Sequence, residues 1–191
     1  MSKCTNLLTK TMVHTRLLII YGNLEHSTID ALKKFTNKET IQDVVALSDG
    51  ETVVSRIEDF VQAGMEFQSI GIIAHGHNLS TWSSTIMNKD FANGIKNILI
   101  ASEGTIDIFA CNMKSNEACL NMFAAHLGTI PVFYSIDITG TSNRNGNWIM
   151  ERKIEGTQDC DATGTDRNLA ELYLSTDIDL SQSVYFNSTD H

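Results

Sequence analysis

The chain has 191 residues, 42% of them hydrophobic, enough for one substantial core or at most two small ones. Its 23 Asp and Glu against 14 Lys and Arg give a formal charge of -9, and Lys33-Lys34 and Arg152-Lys153 are isolated pairs, so the basic stripe of a nucleic-acid binder is missing. The run Leu17-Leu-Ile-Ile20 is too short and too late for a signal-peptide core, and nothing approaches the ~20 apolar residues of a membrane span. Four irregularly spaced cysteines make neither a disulfide framework nor a zinc pattern, so the expectation is a soluble, cytoplasmic protein with reduced thiols and no cofactor or metal.

Residues 1–14 are polar and aperiodic and read as a flexible lead-in. One α/β domain is expected over 15–154, with a polar extension over 155–191 packed on it or trailing from it. Apolar runs of strand length fall at 16–21, 41–47, 69–74, 105–110 and 130–135, largely continuous as in strands buried on both faces. Helical spacing separates them. It carries Ile29, Leu32 and Phe35 in 28–35, and Val53, Val54, Ile57, Phe60, Val61 and Met65 in 51–67. Phe91, Ile95, Ile98 and Leu99 mark 90–101, and Leu120, Phe123, Ala124 and Leu127 mark 117–127. Gly104 and Gly128 stand where helix C-caps belong, and Ser115 with Glu117 suits an N-cap. Strands alternating with helices predict an α/β fold, a mostly parallel sheet with helices on both faces. Beyond it, 139–147 is a polar turn region, 148–154 a strand and 168–174 a short helix.

Two of the strands stop at a reactive side chain: Ile72-Ile-Ala-His-Gly76 at His75, and Ile106-Asp-Ile-Phe-Ala-Cys111 at Cys111. In an open parallel sheet, catalytic groups gather just beyond the carboxyl ends of the strands. If the strands are neighbours, His75 serves as base or imidazolium partner for a Cys111 thiolate nucleophile. Gly76, lacking a Cβ, lets its N–H approach a developing oxyanion, and the Cys111 N–H is a second donor. Each residue also has a plain structural reading, Cys111 as a small buried hydrophobe and His75 as a turn residue.

The pair resembles the signature of the caspase-like cysteine peptidases, the group of caspases, metacaspases, legumains and gingipains, which have a three-layer α/β fold. A closer resemblance is to a bacterial domain of unknown function, of the DUF4347 type, often found at the start of large surface proteins. Its expected Ser-His-Gly, Gly-Cys-Asn, Ser-x-Asp-x-Thr-Gly and Gly-x-Trp segments correspond to Ala74-His-Gly76, Ala110-Cys-Asn112, Ser135-Ile-Asp-Ile-Thr-Gly140 and Gly146-Asn-Trp148. The resemblance covers about residues 16–153. It implies His75 as general base or imidazolium, Cys111 as nucleophile, and the Gly76 and Cys111 N–H groups as oxyanion hole. Phe109 stands where many caspases have glutamine, and the loop after His75 lacks the expected Gly-rich turn.

Such peptidases read the residue before the scissile bond through a charged pocket. Asp137 would select Lys or Arg and Arg144 would select Asp; Asp137 fits the Ser-x-Asp pattern, although it also suits a turn or cap. His77 is either a second imidazole or a solvated loop residue, and Trp82 either walls the crevice or packs over the sheet. The expected function is Cys-His cleavage of a peptide or protein substrate, with no nucleic-acid or membrane partner. The alternative is a catalytically inactive fold serving as a structural, protein-binding or self-assembling module.

Overall fold

The computed structural model describes residues 12–21, 24, 26–37, 41–47, 50–76, 82–100, 103–137, 139, 147–156, 158–161 and 167–174. In chain order these form β1 (Met12–Tyr21), α1 (His26–Phe35), β2 (Ile41–Leu47), α2 (Gly50–Gln62), β3 (Met65–Ile73), α3 (Lys89–Lys96), β4 (Thr105–Phe109), α4 (Glu117–Leu127), β5 (Val132–Tyr134), β6 (Ile149–Met150), β7 (Arg152–Glu155), β8 (Gln158–Asp161), β9 (Arg167–Asn168) and α5 (Leu169–Tyr173).

One sheet runs β2-β1-β3-β4-β5-β7-β8, parallel from β2 through β5 and antiparallel at β7 and β8. The continuous apolar runs have a direct cause. In β1, Leu17, Ile19 and Tyr21 enter one core while Leu18 and Ile20 enter the other, so both sides of the strand are covered. Val53, Ile57 and Phe60 of α2, Phe91, Ala92 and Ile95 of α3, and Leu120, Phe123, Ala124 and Leu127 of α4 cover the first face. Ile29 and Leu32 of α1 and Tyr173 of α5 cover the second. The result is the expected α/β architecture with helices on both faces. Burial of each large apolar side chain contributes roughly 1.5–3 kcal/mol before entropy is counted.

Several boundaries differ from those predicted. β1 begins at Met12, and Met12–His14 pair with Met65–Phe67, so 12–14 are part of the sheet and not of the lead-in. The helix expected over 51–67 stops at Gln62, because Gly64 takes a positive φ of 65° and the chain turns into β3. Across 67–69 the burial alternates, Phe67 and Ser69 inside and Gln68 outside, a strand period, before the strand becomes buried throughout to Ile73. The helix expected over 90–101 ends at Lys96 with Asn97 as its cap, and Phe67 exchanges main-chain bonds with Ile98 and Ile100.

Gly128 does close α4, with φ 75° and its N–H on the Ala124 carbonyl, whereas the Gly104 N–H donates to Ile100 without closing a helix. Ser115 is no N-cap: its hydroxyl donates to the Asn112 carbonyl, and a tight turn, Met113–Asn116, stands between Cys111 and α4. The strand expected over 148–154 divides at Glu151 into β6, which pairs with β9, and β7, which joins the main sheet.

The chain after β8 returns to the second face. Arg167 makes a double hydrogen bond to the Asp107 carboxylate, Nε at 2.7 Å and Nη2 at 2.6 Å, and Nη2 also reaches Thr105 Oγ1 at 3.0 Å. The Tyr173 hydroxyl lies 2.7 Å from Asp107 Oδ2 and 2.8 Å from Ser69 Oγ. Burial, then the Asp107 charge, pushes the Tyr173 phenol well above its ordinary value, so it stays a neutral donor. Gly71 lies beneath: a Cβ there would meet the Phe109 ring at 2.7 Å and the Tyr173 ring at 2.8 Å.

Candidate active site at the ends of β3 and β4

Strand order reverses between β1 and β3, with β2 beyond β1 and β4 beyond β3, so connections diverge at their carboxyl ends. That is where a doubly wound sheet opens a crevice. His75 follows β3 by two residues and Cys111 follows β4 by two. From Ser69↔Thr105 to Ile73↔Phe109 every β3–β4 pair is separated by 36 positions in the chain. The Ala74 N–H still donates to the Phe109 carbonyl, at 3.3 Å. Continued at the same offset, that register would bring His75 opposite Cys111, and Cys111 packs with Ile73 and Phe109 in the core of the second face.

Both side chains are buried, His75 at 3% and Cys111 at 6% exposure. The Cys111 thiol donates to the Thr139 carbonyl at 3.6 Å. Next to it, Asn112 adopts a left-handed conformation, φ 51°, ψ 47°. This reverses the chain sharply enough to present the Asn112 N–H to the Asp137 carbonyl at 2.7 Å and the Met113 N–H to the Ser135 carbonyl at 3.0 Å. The loop after β5 is thereby fastened to the Cys111 turn.

Gly76 sits directly on the Cys111 main chain. A Cβ on Gly76 would overlap the Cys111 carbonyl oxygen and lie 2.8 Å from its carbon and 3.1 Å from its nitrogen, so only glycine fits. The main chains of the two residues therefore lie in direct contact.

Trp82 is fully buried in the core of the first face, in a single wide turn, Trp82–Ile86, and its Nε1–H donates to the His75 carbonyl at 2.7 Å. It supports the His75 backbone from beneath and presents no exposed wall. Asp137 is exposed, with Oδ1 accepting from the Ser135 hydroxyl at 3.0 Å and Oδ2 from Asn147 Nδ2 at 2.7 Å. Glu151 approaches the same loop, Oε2 accepting from the Ile136 N–H at 3.0 Å. Burial and the nearby Asp137 charge raise its carboxyl above the ordinary value, against the lowering by that hydrogen bond. His77 and Arg144 lie outside the described residues. A cavity of about 270 Å³ lies beside the turn after Cys111, lined by Lys114, Glu117, Tyr134, Ile136 and Arg152.

Residues that the sequence did not single out also converge here. Asn116 is 1% exposed; its Nδ2 donates to the Gly76 carbonyl at 2.5 Å while its Oδ1 has no hydrogen-bond partner among the described residues. Thr139, fully buried, has a hydroxyl in the same condition. Asn116 carries no periodic or motif signal, whereas Thr139 is the threonine of the Ser135-Ile-Asp-Ile-Thr-Gly140 segment. Tyr21 ends β1 at the point of reversal; burial pushes its phenol above the ordinary value, and its hydroxyl has no partner among the described residues. Among the described residues no group of three or more His, Cys, Asp or Glu is placed to hold a metal ion. None of the described helices is long and apolar enough to cross a membrane.

The fold and the site define a layered α/β domain with a His-Gly end and an Ala-Cys-Asn end on adjacent parallel strands. A family model described as "Domain of unknown function (DUF4347)" matches residues 25–171, and the chain belongs to that family. The match takes in β7, β8, β9 and most of α5 as well as the strands that end on His75 and Cys111. Neither a curated protein nor a solved structure matches the chain.

Proposed function

We propose that this domain is a caspase-like cysteine peptidase in which His75 and Cys111 form the catalytic dyad. The observation that supports the reading is the β3–β4 register, in which Ile73 pairs with Phe109, so that His75 and Cys111 each follow by two residues the ends of adjacent parallel strands. His75 takes the thiol proton, and Cys111 attacks the peptide carbonyl to give a thioester. His75 then returns the proton to the leaving amine before water releases the acid product. Asp137, exposed on the loop fastened to the Cys111 turn, favours a Lys or Arg side chain before the scissile bond by charge complementarity. A substrate reaches the thiol only when the Thr139 carbonyl that it contacts moves aside.

That burial is also the specific observation favouring a second reading, a peptidase fold kept as a protein-binding or self-assembling module. The pH dependence of Cys111 alkylation by iodoacetamide, followed by mass spectrometry in wild type and His75→Ala, separates the two. Rapid labelling below pH 7 that collapses without His75 is expected of the dyad. Labelling of Cys111 no faster than that of Cys4, and indifferent to His75, would refute the peptidase and leave the module.

A further inference from the structure

We infer that Trp82 and Asn116 are positioning residues that together fix the direction of the Gly76 N–H as an oxyanion donor; this rests on the peptidase reading and deepens it. Gly76 contributes to two peptide planes. In the first, shared with His75, the carbonyl is held by the Trp82 indole N–H at 2.7 Å from within the core. The chain has no cis peptide among its described residues, and in a trans peptide the N–H points opposite to the C=O. Holding the His75 carbonyl toward Trp82 therefore turns the Gly76 N–H away from it. In the second plane the Gly76 carbonyl is held by Asn116 Nδ2, from the turn that follows Cys111.

Two side chains from separate elements thus restrain the only glycine that touches the Cys111 main chain among those described. A glycine has the widest choice of backbone conformation, so without such restraints its N–H would sample many directions. An oxyanion donor stabilises charge only if it is aimed before the charge develops. The costs accepted for this arrangement point the same way. Asn116 leaves a buried Oδ1 without a partner among the described residues while its amide N–H holds Gly76, and Trp82 commits a fully buried indole to one main-chain oxygen. Both residues act through Gly76 and touch no reacting atom.

The test compares two reactions of Cys111 in the full chain. With p-nitrophenyl acetate the thiolate sulfur bonds to the acetyl carbon, negative charge grows on the acetyl oxygen, and the bond to p-nitrophenolate breaks; the thiol proton passes to His75. With iodoacetamide the sulfur displaces iodide at a methylene, and no oxyanion develops. Trp82→Phe removes the indole donor but keeps an aromatic ring, and Asn116→Asp keeps the shape but sets an oxygen against the Gly76 carbonyl.

Both variants are expected to lower the ratio of acylation to alkylation roughly tenfold or more, with the pH profile of alkylation preserved. An unchanged ratio, or a parallel fall in both rates, would overturn the assignment, since a merely structural role slows both reactions alike. If circular dichroism shows Trp82→Phe unfolded, Asn116→Asp carries the test alone. Loss of His75 dependence in wild-type alkylation is a separate outcome that defeats the peptidase reading itself.

Discussion

Replacing Arg167 by alanine leaves Asp107 as a fully buried carboxylate in the middle of β4 with its strongest partner gone. Breaking a buried ion pair costs roughly 3–5 kcal/mol, because the remaining charge is left without compensation. The Arg167 side chain is 20% exposed, so water can partly replace it, and the lower end, about 3 kcal/mol, is the better figure. The guanidinium also stands 4.5 Å from the centre of the Phe133 ring, a contact worth roughly 0.5–1 kcal/mol. Burial opposes the Arg167 charge, yet the Asp107 carboxylate holds the guanidinium protonated beyond its ordinary value.

For a chain of this size a loss of about 3 kcal/mol lowers Tm by about 6–12 °C. Urea unfolding followed by circular dichroism measures it, with Asp107→Asn and the double variant Asp107→Asn, Arg167→Ala closing a cycle. The double variant is expected to recover at least about 1 kcal/mol relative to the sum of the single losses, since no buried charge then remains. An Arg167→Ala cost below about 1 kcal/mol, the value of a surface pair, would refute the claim that this contact clamps 167–174 to the sheet.

Gly76→Ala is expected to cost roughly 3 kcal/mol or more and to abolish rapid Cys111 alkylation, because the added methyl overlaps the Cys111 carbonyl; near-native stability in urea would contradict the close approach. Glu151→Gln tests the acidic loop. Because the folded state raises the Glu151 carboxyl above its unfolded value, through burial and the Asp137 charge, its contribution favours folding at low pH. It is lost as pH climbs from the unfolded value through the folded one. The variant should therefore be more stable than wild type at neutral pH, with a flatter stability profile across that window; an identical profile would show that the carboxylate is as well solvated folded as unfolded.

The sequence by itself determined the layered class and pointed to the two candidate site residues. Runs such as 16–21 are apolar without alternation, which only a strand covered on both faces requires, and the strand-ending His75 and Cys111 are local features that need no knowledge of neighbours. The Asp within Thr105-Ile-Asp-Ile-Phe was a signal too: a carboxylate inside a buried strand demands a cation from elsewhere. What only the tertiary structure decided is which residues answer such demands. Arg167 meets Asp107 across 60 positions, Asn116 meets Gly76 across 40, and Trp82 reaches the His75 carbonyl from a different core layer than the one below the thiol.

The end of α2 likewise depended on Gly64 adopting a positive φ, since Met65 and Phe67 are apolar enough to extend the helical stripe or to begin β3. Hydrophobic period records whether a residue faces a core. It does not record the partner, because hydrogen bonds and ion pairs between distant segments depend on strand register and crossover, which the packing of the whole chain sets.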